Sequence, residues 1–123
     1  MSPANQGQSF PRTSRLTTPR SYQDVFQQGL RARNGLLGGV VRTNTLSYAR
    51  LGLAVSRKAS PRAVVRNRIK RVIREVFRKQ HQTLAALDYV IIAHPPAATA
   101  TRAELASAAS QLVQKLTRTC ARS

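Results

Sequence analysis

The stretch AVVRNRIKRVIREVFRK, Ala63 to Lys79, constrains the fold more than any other part of the chain. At about 100° per residue, Val65, Ile69, Val72, Ile73, Val76 and Phe77 fall on one side of a helix. Asn67, Lys70, Arg71, Arg74 and Arg78 fall on the other, with Arg68 at its edge. Such a helix has to lay its apolar side on another layer of structure and leave a strip of cations in water. Ser60 is the expected N-cap, with Pro61 at the first helical position. Arg62, Arg66 and Arg68 then sit near a helix N-terminus, where the partial positive charge of the backbone disfavours cations. The direction of Arg66 lies close to the apolar side, so it is expected to project past the edge of the core. A sequence that keeps a locally unfavourable arrangement points to a functional surface.

The whole chain shares this charge bias. Its 123 residues hold 21 Lys and Arg against 4 Asp and Glu, a net charge of +17. That lies far above the magnitude of about 2–8 usual for a small domain. It calls for a polyanionic partner. Seventeen of the 21 cations are Arg, whose planar guanidinium suits bidentate phosphate contacts and stacking on bases. A basic amphipathic helix also fits a membrane surface. Here, however, the apolar side is aliphatic and lacks Trp, and no run approaches the roughly 18 apolar residues of a spanning helix. The lone Cys120 cannot form an internal disulfide, which fits a reducing cytoplasm.

The length suits one domain, expected over residues 12–118, between a flexible tail at 1–11 and a short C-terminal tail at 119–123. Pro3, Pro11 and Pro19 interrupt any amphipathic targeting helix at the start. Thr18 to Gly29 reads as a short helix capped by Ser21, with Asp24 in its first turn and Gly29 closing it. Tyr22, Val25 and Phe26 share one face of it. Val25 reads as core. Tyr22 and Phe26 fit either the core or a surface that stacks on bases. LLGGVVRT (36–43) and ARLGLAVS (49–56) read as strands. Leu51, Leu53 and Val55 belong on the core. Gly52, Ala54 and Ser56 give the opposite face little relief, which fits close packing by another element or a shallow trough open to a ligand. Tyr89 to Ala93 reads as a well-covered strand stopped by Pro95 and Pro96. In the final helix, 101–118, Thr101 and Glu104 have capping-box spacing, and Leu105, Ala109, Leu112, Val113 and Leu116 make the buried stripe. The order helix, strands, helix, strand, helix predicts an α/β (α+β) two-layer sandwich around a small sheet.

The chemistry-bearing residues are sparse. Asp24, Glu75, Asp88 and Glu104 are far apart in sequence, whereas a two-metal nuclease needs clustered carboxylates. His81 and His94 stand alone. No phosphate-cradling glycine loop or nucleophile elbow occurs. By its residues the chain is a binder rather than a catalyst, with no metal ligands of its own.

LGLAVSRK, RAVVRNRIKRVIREVFR and LDYVIIAHP, in that order, resemble the bacterial ribonuclease P protein component. Arg66-Asn67-Arg68 followed by Ile69-Lys70-Arg71 is similar to that family's signature, and Phe10 to Gly29 resembles its N-terminal portion. The likeness runs from about Phe10 to Leu116. It implies a subunit of an endoribonuclease whose catalytic subunit is RNA, removing the 5′ leader of precursor tRNA with Mg2+ held by the RNA. It also implies a left-handed β-α-β crossover, against the usual hand. Carried over by position, Arg66, Asn67, Arg68, Lys70, Arg71 and Arg74 would lie against the catalytic RNA. Tyr22 and Phe26 would line the leader cleft, with Ala54, Ser56 and Lys58 as its sheet wall and rim. Two departures stand out: Val40 falls at or near a cleft position that is often aromatic in the family, and ASPR replaces a glycine-containing turn before the basic helix. A structural RNA-binding protein, such as a ribosomal protein of similar sandwich fold, and a stand-alone nuclease are the competing readings.

Overall fold

A computed structural model of the chain describes residues 19–44, 46–80 and 84–122. The expected N-terminal tail and His81 lie outside the described residues. The elements run α1 (Pro19–Gln28), β1 (Leu30–Arg33), β2 (Leu37–Thr43), β3 (Arg50–Ala54), α2 (Ala63–Gln80), β4 (Leu87–Ala93), a 3-10 helix (Pro95–Ala98) and α3 (Arg102–Arg122). The four strands form one mixed sheet in the order β1-β2-β4-β3. β2 is antiparallel to both β1 and β4, whereas β3 runs parallel to β4. The parallel pair is joined through α2, the crossover that a parallel connection requires.

Strand alternation divides the sheet into two chemically different faces. On one face, Leu37 and Val41 of β2, Leu51 of β3 and Leu87, Tyr89, Ile91 and Ala93 of β4 join the main core. Helix α2 contributes Ile69, Val72, Ile73 and Phe77, and α3 contributes Leu105, Ala109, Leu112, Val113 and Leu116. Phe77 meets Tyr89 edge-on, with ring centroids 5.6 Å apart. Burial raises the pKa of the Tyr89 phenol, and its hydrogen bond with the Thr117 hydroxyl works in the other direction. Gly39 lets α3 approach β2 closely, since a Cβ there would stand 2.7 Å from Leu116 Cδ1.

On the opposite face lies a second, smaller cluster of Val25, Val40 and Val90, with Phe26, Ala54 and Ile92 packed against it. Helix α1 therefore covers the face away from α2 and α3, so the two-layer sandwich carries a short third element. Gly29 permits this close docking: a Cβ there would meet the carbonyl oxygen of Val41 at 2.8 Å.

Several local expectations shift. The strand β1 was not expected; its residues alternate between half-buried and exposed, LRAR, without an apolar signature. Helix α1 begins at Pro19, so Ser21 lies within it rather than capping it, and Asp24 falls outside the first turn. Helix α2 begins at Ala63, and the carbonyl of Arg62 accepts the N–H groups of Val65 and Arg66. Ser60 is displaced from the cap position by two residues. Its hydroxyl instead accepts the N–H of Arg62 at 3.2 Å, turning the chain ahead of the helix. The capping box at α3 forms as expected, with Glu104 Oε1 accepting the Thr101 N–H and Thr101 Oγ1 accepting the Glu104 N–H. Helix α3 continues to Arg122, through positions read from the sequence as a tail.

Candidate nucleic-acid interface

The basic strip forms on α2, but its residues stand in two groups. Asn67, Arg71 and Arg74 are exposed and point away from the core, and Lys70 is half-buried beside them. Arg66 and Arg68 are also half-buried, and their guanidinium groups are already engaged. Arg66 Nη1 donates to the carbonyls of Ser60 and Pro61, at 3.0 and 2.9 Å. The Arg66 side chain thus folds back on the turn that precedes the helix instead of projecting past the core edge. Arg68 Nη1 and Nη2 donate to the carbonyls of Ala100 and Ala98, at 3.2 and 3.0 Å. Each guanidinium has five N–H donors, so both keep donors for a second partner. Arg78 and Lys79 lie within 4 Å of Glu75, which also pairs with Arg102. The one acidic residue of α2 thereby holds three cations near its C-terminal half.

The second surface is the trough between α1 and the sheet. Ala54 and Phe26 both pack against the small cluster on this face, so the structure brings these two expected cleft residues together. Phe26 is half-buried: one part of the ring contacts the cluster, and the guanidinium carbon of Arg31 lies 5.9 Å from its centroid. Arg31 also donates to the Phe26 carbonyl at 3.1 Å. Val40 is fully buried beneath α1 and offers no face for stacking. Tyr22 lies on α1, but its side chain lies outside the described residues. Ser56 and Lys58 are exposed just beyond the end of β3, in a turn in which Ser56 accepts backbone N–H groups from Lys58, Ala59 and Ser60. The small residues Gly38, Gly52 and Ala54 share this face of the sheet by strand register, as the alternation in β3 foreshadowed.

Beyond the end of α1 the trough continues into an open groove of about 310 Å³ lined by Arg31, Arg33, Gly38, Ile92 and His94, among others. Gly38 makes room for the His94 ring, since a Cβ there would stand 2.8 Å from Nε2. That nitrogen is buried without a hydrogen-bond partner in the structure. Sequence reasoning missed Arg31 and Arg33 because β1 was unrecognised, and it gave His94, standing alone, no role. The alternation of Arg31 and Arg33 was the available signal. A larger groove of about 750 Å³ runs between residues 34–36 and the start of α3. It is lined by Glu104 and no cation, so it is the wrong sign for a polyanion.

Topology joins the two surfaces. Because β3 and β4 are parallel, Ala54 pairs with Ile92, and both strands end at the same edge. The turn with Lys58, the first turns of α2 and His94 all emerge there. At the far end of the same face, Arg50 grips Asp88 through Nε and Nη2, at 2.8 and 2.7 Å, and Asn44 Nδ2 donates to the same carboxylate. The hydrogen bonding of Arg50 to Asp88 raises the Arg50 pKa.

Each acidic residue has at least one such contact. Asp24 lies 3.9 Å from Arg42, Asp88 is held by Arg50, Glu75 faces three cations and Glu104 caps α3. Among the described residues, no three of His, Cys, Asp and Glu stand together as a metal site. None of the described helices is long and apolar enough to cross a membrane.

The family model for Ribonuclease P matches residues 10–117. The chain belongs to the ribonuclease P protein family. It is 43% identical over 115 residues to the ribonuclease P protein component of Methylococcus capsulatus, covering 94% of this chain and 90% of that one. It is 44% identical over 110 residues to the component from Vibrio cholerae, covering 89% and 93%. The solved RNase P protein of Staphylococcus aureus superposes with a TM-score of 0.80 at 28% identity, over 85% of this chain and 97% of that one. The RNase P protein of Thermotoga maritima, solved with 1-(4-fluorophenyl)-2-thiourea, gives 0.73 at 28% identity, over 84% and 97%. Members of this family work with the ribonuclease P RNA, as the protein subunit of a ribonucleoprotein involved in tRNA processing.

Proposed function

We propose that this protein clamps two polyribonucleotides: the catalytic RNA along α2, and the 5′ leader of precursor tRNA in the trough between α1 and the sheet. The observation that carries this reading is the pair of basic surfaces meeting at the common end of β3 and β4. Asn67, Lys70, Arg71 and Arg74 supply phosphate contacts to the catalytic RNA, with Arg66 and Arg68 contributing their remaining donors. Phe26 and Tyr22 line the leader path, while Ala54 keeps its floor shallow and Ser56 and Lys58 form its rim. Leader contacts are absent from the mature product, so they favour substrate over product by differential binding.

Bond cleavage is assigned to the RNA. The four carboxylates of this chain are held by cations or by a helix cap. Among the described residues these groups do not cluster, which supports the reading that Mg2+ is held by the RNA subunit. A protein with this role works in the cytoplasm alongside tRNA precursors.

Reconstitution tests the proposal. Added to a bacterial ribonuclease P RNA, the purified protein should lower the Mg2+ concentration needed for leader removal while cleaving nothing by itself. A mixture that behaves like RNA alone, or turnover by the protein without RNA, would contradict it. Association with ribosomal particles and no effect on leader removal would favour a structural RNA-binding protein instead.

A further inference from the structure

Arg68 belongs to the motif that resembles an RNA-binding signature, yet its guanidinium reaches away from the exposed strip. It bridges Ala98 and Ala100, in the connection between β4 and α3. That connection is built from short-range contacts. The N–H groups of Ala97, Thr99 and Ala100 go to the carbonyls of His94, Pro96 and Ala97. Pro95 and Pro96 have no N–H to offer. The carbonyls of Ala98 and Ala100 lie at the C-terminal end of the 3-10 helix, where a cation is electrostatically favoured. Ala97 is fully buried, and Ala100 nearly so. A planar fork donating to two carbonyls two residues apart fixes how this segment lies against α2.

The same segment begins at His94. Its N–H donates to the Leu36 carbonyl, and its ring packs over Gly38 in the groove that extends the trough. A continuous run of contacts therefore links α2 to the cleft mouth: Arg68, the carbonyls of Ala98 and Ala100, the 3-10 helix, then His94 and Gly38. We infer that Arg68 is a positioning residue that sets the 94–101 segment, and through it the shape of the cleft mouth, from within the helix that docks on the catalytic RNA. One edge of the guanidinium grips the carbonyls, and the other keeps donors for a phosphate. Docking of α2 and the leader preference of the cleft are thereby coupled through one side chain. This rests on the proposed function for the identity of the two ligands. The carbonyl bridge itself does not.

The test compares Arg68→Lys and Arg68→Ala with Arg71→Ala, which removes an exposed cation of the same helix. In the free protein, amide hydrogen exchange is read at Ala97, Thr99 and Ala100. Loss of a charge-assisted bridge should speed it about tenfold in both Arg68 variants and leave it unchanged in Arg71→Ala. In the complex with saturating ribonuclease P RNA, affinity is read for leader-bearing and leaderless tRNA. Arg68→Lys keeps the charge but lacks the planar fork. It should weaken RNA binding no more than Arg71→Ala does, while losing most of the leader preference once the RNA is saturating. Arg71→Ala should weaken RNA binding with the preference intact once saturated. If Arg68→Ala does not fold, Arg68→Lys carries both readouts. Native exchange in the Arg68 variants overturns the bridge, and altered exchange with an unchanged preference overturns the coupling. A wild-type protein with no leader preference would sink the functional reading and the coupling with it, while the exchange data would still decide the bridge.

Discussion

The Asp88 carboxylate is 6% exposed, yet it sits in a chain whose other charges are mostly positive and solvated. Burial of a carboxylate is unfavourable unless it is paired and hydrogen-bonded. Arg50 and Asn44 meet that demand with three hydrogen bonds. The pair links the start of β3 to β4 directly across the parallel register, where Arg50 faces Asp88. Replacing Arg50 by Met would leave the carboxylate short of its cation and should cost about 3 kcal/mol of unfolding free energy in urea titration. Changing both residues, as Arg50→Met with Asp88→Leu, should restore most of that loss. Restoration by the double change would assign the pair to register rather than to net stabilisation.

At the scale of elements, the proposed function divides the work between α1 and α2. Phe26 is half-buried at the junction of the small cluster and the open trough. Phe26→Leu, which keeps apolar bulk in the cluster but removes the ring, should reduce affinity for leader-bearing substrate about tenfold. Binding of leaderless tRNA should stay within about twofold, since the stacking partner proposed for the ring is missing from it. Competition binding with the two substrates checks this, and equal losses would place the ring in the core alone. The helix α2 was legible from its sequence because an apolar stripe at helical spacing admits few other outcomes: Ile69, Val72, Ile73 and Phe77 are all buried as expected. The small face of β3 was legible for the same reason, through strict alternation. β1 was not, because LRAR at a sheet edge buries neither of its faces fully, and an alternation of four residues is too short to stand out. The roles of Arg66 and Arg68 were hidden for a different reason. Periodicity gives the direction in which a long side chain leaves the helix, but not which carbonyls a distant loop brings within its reach.

Across the whole molecule, a net charge of +17 is an electrostatic commitment to a polyanion. Exposed cations that contact phosphate release counterions, so affinity for the catalytic RNA should fall steeply as salt rises. Replacing Arg71 and Arg74 together by Ala should reduce the slope of log affinity against log salt by about 1.5–2, if each contacts one phosphate. Titrations at several KCl concentrations measure this; an unchanged slope would remove α2 from the RNA interface. The sheet then acts as a spacer that holds two basic surfaces at a fixed separation, joined at the edge where β3 and β4 both end. The measurement closest to the heart of this account is the ratio of affinities for precursor and mature tRNA, determined for the catalytic RNA with and without the protein. The account predicts that the protein raises that ratio by about tenfold or more, equivalent to about 1.4 kcal/mol of leader contact. A ratio that stays the same when the protein is added would contradict it.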